Sequence, residues 1–284
     1  MSAIALTHQY VRVLTIAGSD SGGGAGIQAD LKTMAALGCY GMSAITALTA
    51  QNTQGVSAIH AAPAEFLSAQ IDAVLSDIGA QGVKIGMLHS AEIVHTVAQA
   101  IDRHKLFNIV LDPVMVSATG ARLIEPSAAE AIVRELFPRA AIITPNIDEA
   151  ALLLHKPVNS VADLAPAARA LLDLGVGAVL LKGGHLPGDE VHDVLALNNG
   201  SGEPVFHEMR AQRIDTQNLH GAGCTLSSAI AAHMALGLSL TQSVEAARAY
   251  VRQALISGAG VRTGAGVGPL DHGFAPLPTQ KRHL

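Results

Sequence analysis

The chain has 284 residues, 49% of them hydrophobic, 14% charged and only 3% aromatic, with a formal net charge of -5. This composition fits a globular protein with a large aliphatic core, and the mild negative charge without any Lys/Arg cluster excludes nucleic acid or an anionic membrane as the main partner. The two cysteines, Cys39 and Cys224, give no disulfide framework, and neither a leader pattern nor a ~20-residue apolar span is present, so a cytoplasmic protein is expected.

Residues 13–17 form a short apolar run that leads into Gly18-Ser19-Asp20-Ser21-Gly22-Gly23-Gly24-Ala25-Gly26 and then a helical pattern from Ile27. Strand, glycine-rich loop and helix in that order open a βα unit. The glycines miss the G-x-G-x-x-G spacing, and no acidic residue closes a second strand about 20 residues later, which argues against a dinucleotide site. Such a loop instead lets backbone approach a small ligand closely. Residues 41–50 read as a second strand with Gln51, Asn52 and Thr53 at its end. From Pro63, Leu67, Ile71, Val74, Leu75 and Ile78 share one helical face.

Residues 83–85 form the next strand, ending toward Met87, and Ser90 is placed to cap a helix carrying Ile93, Val94, Val97 and Ile101. A strand at 109–111 closes on Asp112-Pro113, because proline cannot donate within a ladder. Ser127 and Glu130 have capping-box spacing before a helix with Ile132, Val133 and Leu136. A strand at 140–143 runs into Thr144-Pro145-Asn146, with a helix expected from about Asp148. A helix at 165–174 stops at Gly175, and a strand at 179–181 leads to Lys182-Gly183-Gly184-His185. The alternation then loosens into an edge hairpin: a strand at 194–197, a turn at 198–202 and a segment around Val205.

The stretch Asn218-Leu219-His220-Gly221-Ala222-Gly223-Cys224-Thr225 precedes an Ala/Ser/Leu-rich helix to Leu236, stopped by Gly237, and a last helix spans 240–256 before a glycine-rich loop at 264–269. A helix start of this kind leaves several N–H groups unpaired, where the macrodipole also favours negative charge, although the glycines equally suit an ordinary turn. With no internal repeat or low-complexity linker, a single doubly wound α/β domain is expected. The strand ends then carry the 18–26 loop, Gln51, Met87, Asp112, Asn146, Glu149, Lys182 and the 221–224 loop. One lysine, an anion-binding helix start, an Asn/Glu pair and neutral hydrogen-bonding groups suit phosphoryl transfer from a magnesium nucleotide to a small neutral acceptor. Glu149 also reads as a first-turn acid favoured by the helix dipole, Asp112 as a turn former and Met87 as core. His185, His192, His207 and His220 have no metal-ligand spacing, and Cys39 reads as a buried apolar residue.

Seven stretches together carry a family resemblance: AGSDSGGGAGIQADLKT at 17–33, ITALTAQNTQGV at 45–56, KIGML at 84–88, VLDPVM at 110–115, ITPNIDEA at 143–150, LKGGH at 181–185 and HGAGCTLSSAIAA at 220–232. On them the chain closely resembles the hydroxymethylpyrimidine/phosphomethylpyrimidine kinases of thiamine biosynthesis, members of the ribokinase-like superfamily, over about residues 13–269. The resemblance implies one ribokinase-like domain over 1–284, with a mostly parallel sheet, helices on both faces and a small β edge element. It implies ATP and Mg2+ as cofactors, a homodimer, and two successive phosphorylations, of 4-amino-5-hydroxymethyl-2-methylpyrimidine and then of its monophosphate.

By motif, Gly18, Ala25, Asp30, Gln51, Met87 and Val114 resemble pyrimidine-site positions. Asn146 and Glu149 resemble a magnesium/phosphate pair, with Asp112 in the same metal and water network. Lys182 and Gly223 fall on the nucleotide side, and Gly221, Ala222 and Gly223 form the anion hole. Cys224 resembles the proposed general base. A helix N-terminus favours thiolate, whereas nearby phosphates and a loose transition state favour a positioning role instead. Leu219 and Ala222 replace the two threonines of the commoner THGTGC form, which removes two hydroxyls. A pyridoxal kinase is the nearest rival reading, a noncatalytic pyrimidine-binding protein a second, and a cysteine hydrolase a weaker third because no histidine pairs with Cys224 by spacing.

Overall fold

The structure is a computed structural model that describes residues 6–115, 124–200 and 202–283. After a short β1 (His8–Tyr10), the first apolar run becomes β2 (Arg12–Asp20), which continues three residues beyond the expected strand so that Gly18, Ser19 and Asp20 belong to it. It feeds α1 (Gly26–Ala36), β3 (Tyr40–Asn52) and β4 (Gly55–Ala61). Next come α2 (Ala64–Asp77), β5 (Gly82–Ile85), α3 (Ala91–His104) and β6 (Ile109–Leu111). Then follow α4 (Pro126–Ala131), β7 (Ile142–Ile143), α5 (Ile147–Leu154), α6 (Leu164–Leu172) and β8 (Ala178–Lys182). The hairpin β9 (Glu190–Leu197) and β10 (Val205–Gln212) precedes α7 (Ala222–Leu236), α8 (Leu240–Gly258) and β11 (Lys281–His283).

Nine strands form one sheet in the order β10-β9-β8-β7-β6-β5-β2-β3-β4. The six from β8 to β3 run parallel, while β4 and the β9–β10 hairpin add antiparallel edges. Alternate residues of the parallel strands face two cores. Ile16, Ile85, Leu111, Ile143 and Leu181 pack toward the helices α2, α3, α4, α5 and α6, and Val13, Val110, Ile142 and Leu180 toward α7 and α8. Burial on both faces explains why these strands read as short continuous apolar runs. β2 is the switch point: its neighbours β3 and β5 are reached in opposite directions from it, and in such sheets ligands bind beyond the carboxyl ends at that place.

Several local expectations change. Ser127 and Glu130 do not open α4; Glu125 holds the cap position without a side-chain bond and Pro126 starts the helix, where its missing N–H costs nothing. The chain then winds through a π-turn at Ile132–Leu136 and a 3-10 turn at Phe137–Arg139, leaving only two residues for β7. Ser90 does cap α3, and Gly175 and Gly237 follow their helices with φ of 98° and 101°, conformations that favour glycine. The edge hairpin is longer than expected, and residue 201 of its turn lies outside the described residues. No helix among the described residues is long and apolar enough to cross a membrane.

Candidate active site

A cleft of about 1460 Å³ opens over the carboxyl ends of the parallel strands and the start of α7. Gly18 at the end of β2, Gln51 at the end of β3, Met87 after β5, Asp112 and Val114 after β6, Asn146 and Glu149 after β7, and Lys182 at the end of β8 all line it. Ala25 and the 221–224 loop complete the wall. Every expected position except Asp30 is therefore brought to one cavity.

The loop before α7 is fixed by glycine chemistry. Gly221 caps the helix at φ 84°, and a Cβ there would run into the carbonyl oxygen of Gly24, so the 20–26 loop and the α7 start can approach only through a bare backbone. Gly223 and Cys224 lie in the first turn, where the helix itself supplies no acceptor for their N–H groups. A Cβ at Gly223 would stand 3.3 Å from Lys182 Nζ and 3.5 Å from Asp112 Oδ2, so the glycine keeps clear the space between the helix start and the charged pair. Positive helix end and lysine ammonium thus converge on one opening, which suits an anion. Leu219 and Ala222 sit on the same wall; Leu219 is 51% exposed and presents an alkyl group to the cleft.

Lys182 Nζ lies 3.4 Å from Asp112 Oδ1, which also accepts from Thr144 Oγ1 at 3.0 Å, while Ser227 Oγ donates to Asp112 Oδ2 at 3.4 Å. Burial pulls the Lys182 ammonium down, but Asp112 and Glu149 beside it push it above the ordinary lysine value, so it is a cation at any physiological pH. Asn146 and Glu149 form a capping box on α5: Asn146 Oδ1 accepts from the N–H groups of Asp148 and Glu149, and Glu149 Oε2 accepts from Asn146 N at 2.8 Å. The sequence contained this N-x-x-E signature, so the two readings of Glu149 meet in one side chain. Burial raises its acid to about 7, against the pull of the Lys182 charge, and Asp112 adds to the rise.

Glu149 and Asp112 offer hard oxygen donors suited to magnesium, yet no group of three or more His, Cys, Asp or Glu side chains among the described residues forms a cage. That set fits an ion carried largely by phosphates and water, the usual manner for magnesium at nucleotide sites.

Asp30 stands apart from the other expected positions. It is fully buried, does not line the cleft, and its carboxylate is consumed by four bonds: Lys84 Nζ at 3.0 and 2.9 Å, Thr15 Oγ1 at 2.6 Å and Ser228 Oγ at 2.6 Å. The first turns of α1 aim this side chain into the protein rather than toward the loop. Burial disfavours the Lys84 charge, but Asp30 outweighs it and holds the ammonium above its ordinary value. Lys84 was legible only as a lysine inside an apolar strand, and its pairing with a residue 54 positions earlier was not. Ser228 lies one turn beyond Cys224, so this buried pair braces α7 from beneath.

The Cys224 thiol is pushed up to about 11 by burial, which outweighs the nearby Lys84 charge, while Asp30 and Asp112 oppose ionisation further. Of the opposing influences on this thiol, desolvation and two carboxylates outweigh the favour a helix N-terminus gives a thiolate.

Asp20 and His220 join the 20–26 loop to the residues just before α7. Asp20 accepts from the N–H groups of Gly22, Gly24 and Ala25 at 2.7, 3.0 and 2.9 Å, and His220 Nε2 lies 2.9 Å from its Oδ2. Burial raises the Asp20 acid, yet His220 and these backbone donors outweigh it and hold the carboxyl below its ordinary value. The imidazole also fills the space over Gly24, where a Cβ would strike it. The signal for Asp20 was its place at the end of the first strand; the link to a histidine 200 residues later was invisible.

A family model described as phosphomethylpyrimidine kinase matches residues 20–271. The hydroxymethylpyrimidine/phosphomethylpyrimidine kinase of Rhizobium meliloti is 47% identical over 260 residues, covering 91% of this chain and 96% of that protein. The crystal structure of phosphomethylpyrimidine kinase from Clostridium difficile superposes with a TM-score of 0.76 at 42% identity, over 86% of this chain and 99% of that one. A Bacillus subtilis pyridoxal kinase, solved as an ADP complex, gives 0.84 at 34% identity, over 93% and 98%. With the motifs seated around one cleft and the match spanning most of its length, the chain belongs to the phosphomethylpyrimidine kinase family.

Proposed function

We propose that this protein transfers the terminal phosphoryl group of ATP to the hydroxymethyl oxygen of 4-amino-5-hydroxymethyl-2-methylpyrimidine, and then a second group to the resulting monophosphate, in thiamine diphosphate biosynthesis. The observation that carries the reading is the convergence of Lys182 and the Gly223/Cys224 helix start on one side of a cleft whose other side holds Gln51, Met87 and Val114. Phosphoryl transfer needs positioning and charge stabilisation more than covalent chemistry. The first-turn N–H groups of α7 and the Lys182 ammonium meet the charge on the transferring group, and Gly223 leaves room for it. Glu149 and Asp112 are the residues that would hold magnesium, which would supply neutralisation of phosphate charge.

On the acceptor side, Gln51 offers a donor and an acceptor to a heteroaromatic edge, Met87 an adaptable apolar wall and Val114 a second apolar contact. Gly18 and Ala25 keep the backbone close to the ring. Cys224 meets the acceptor hydroxyl as a neutral thiol that holds it in line. Leu219 and Ala222 leave the backbone donors of the anion hole in place. The protein works in the cytoplasm, as a homodimer.

A coupled ATP assay with hydroxymethylpyrimidine, its monophosphate and pyridoxal as separate acceptors tests the reading. Turnover of both pyrimidines is expected. Turnover of pyridoxal alone favours the rival vitamin-kinase activity, supported by the fold likeness to pyridoxal kinases, and turnover of none favours a binding protein.

A further inference from the structure

The pairing of β8 with β9 sets a second carboxylate beside Lys182. The two strands run antiparallel with Lys182 directly opposite Asp193. Residues so paired carry their side chains on the same face of the sheet, with Cβ atoms about 5 Å apart, and opposite charges there attract. The face is the one turned to α7 and α8, because Leu180 and Leu195, two residues from Lys182 and Asp193, pack in that core. Yet Lys182 Nζ turns instead to Asp112, at a loose 3.4 Å. Asp193 is engaged elsewhere: its Oδ1 accepts from Gly183 N at 3.0 Å and its Oδ2 from Arg248 Nε, on α8, at 2.9 Å. The chain passes this close to β9 only as bare backbone, since a Cβ at Gly183 would run into the His192 carbonyl oxygen. Asp193 is buried, so its charge is weakly screened and acts strongly on any cation within reach.

We propose that Arg248 is a positioning residue for phosphoryl transfer: by holding the Asp193 carboxylate, it keeps Lys182 from being captured across the β8–β9 pair and so leaves the ammonium at the start of α7. The inference rests on the kinase reading proposed above. Without Arg248, Asp193 keeps one oxygen on Gly183 and presents the other to its cross-strand lysine, against which Asp112 offers only its loose contact. Capture draws Nζ toward β9 and away from Gly223, whose missing Cβ lets the ammonium stand close to the first turn of α7. The transferring group then loses its lysine although Lys182 is still in the chain. Gln51, Met87 and Val114 lie beyond other strands, so the acceptor side is unaffected.

Steady-state kinetics with ATP and hydroxymethylpyrimidine across a set of variants test it. Arg248→Met is expected to lower kcat by about tenfold or more, the scale of one lost charge-assisted hydrogen bond, with the KM for the pyrimidine unchanged. Arg248→Lys, which keeps a cation for Asp193, retains most of the rate. Adding Asp193→Asn to Arg248→Met removes the competing charge, while the amide oxygen still accepts from Gly183, and recovers most of the loss. In a Lys182→Ala background Arg248→Met has no further effect, because no ammonium is left to capture. If thermal melts show Arg248→Met unfolded at the assay temperature, the same comparisons are made with Arg248→Gln. A single variant as fast as the parent, a double variant no faster than the single one, or a further loss on top of Lys182→Ala overturns the proposal and leaves the kinase reading standing. A parent that phosphorylates no pyrimidine removes that reading, and the proposal with it.

Discussion

At Cys224 the competition between helix dipole and burial decides the chemistry. A thiol pushed up to about 11 is protonated at neutral pH, so a mechanism that requires resident thiolate predicts a rate climbing with pH toward 11. A positioning thiol predicts no such climb between pH 7 and 9. Cys224→Ala is expected to retain pyrimidine binding while turnover falls, by on the order of 10²-fold if alignment is lost, and Cys224→Ser to retain more of it. Steady-state kinetics of the pair decide the matter, and unchanged turnover in the alanine variant contradicts any direct role. Glu149 makes a prediction of the opposite kind. Its acid is raised from 4.5 to about 7 in the fold, so the folded state binds more protons than the unfolded chain across that window. Its contribution is most favourable below about 4.5 and is lost as pH rises through 7. Glu149→Gln keeps an acceptor for the α5 cap but removes the buried charge. Thermal melts are expected to show the variant more stable than the parent at pH 8, with the difference shrinking toward pH 5.

At the scale of elements, what the sequence made legible were features that a few neighbouring residues decide. Ser90 capping α3, the glycine stops at 175 and 237, and the apolar runs of β5, β6 and β8 all follow from local patterns. β4 was missed because it is an edge strand with a largely exposed pattern, held by a hairpin onto β3 rather than by an apolar face. The Ser127–Glu130 box failed because Pro126 starts the helix first. The buried brace of Asp30, Lys84, Thr15 and Ser228 spans four elements and had no local signature. Breaking one side of a buried ion pair leaves an uncompensated charge, so Lys84→Met is expected to cost about 3–5 kcal/mol. Chemical denaturation measures this, and a loss below 1 kcal/mol in that titration shows that the pair is dispensable.

For the molecule as a whole, alternation of strand and helix was enough to predict a doubly wound α/β domain, because both faces of a parallel sheet must be covered. The order of strands was not legible, since non-local pairing is set by packing that no window of sequence contains. That order is what brings the ends of β2, β3, β6 and β8 to one cleft. Motif residues at strand ends could therefore be named from the sequence, while the contacts between them, such as Asp20 with His220 and Gly24 with Gly221, arise only on folding. One cleft serving both phosphorylations is the central claim. ³¹P NMR of hydroxymethylpyrimidine incubated with MgATP and the protein tests it most directly. The account predicts that a monophosphate signal appears first and then gives way to the coupled pair of a diphosphate. A product that stops at the monophosphate, or ATP that stays unconsumed, contradicts it.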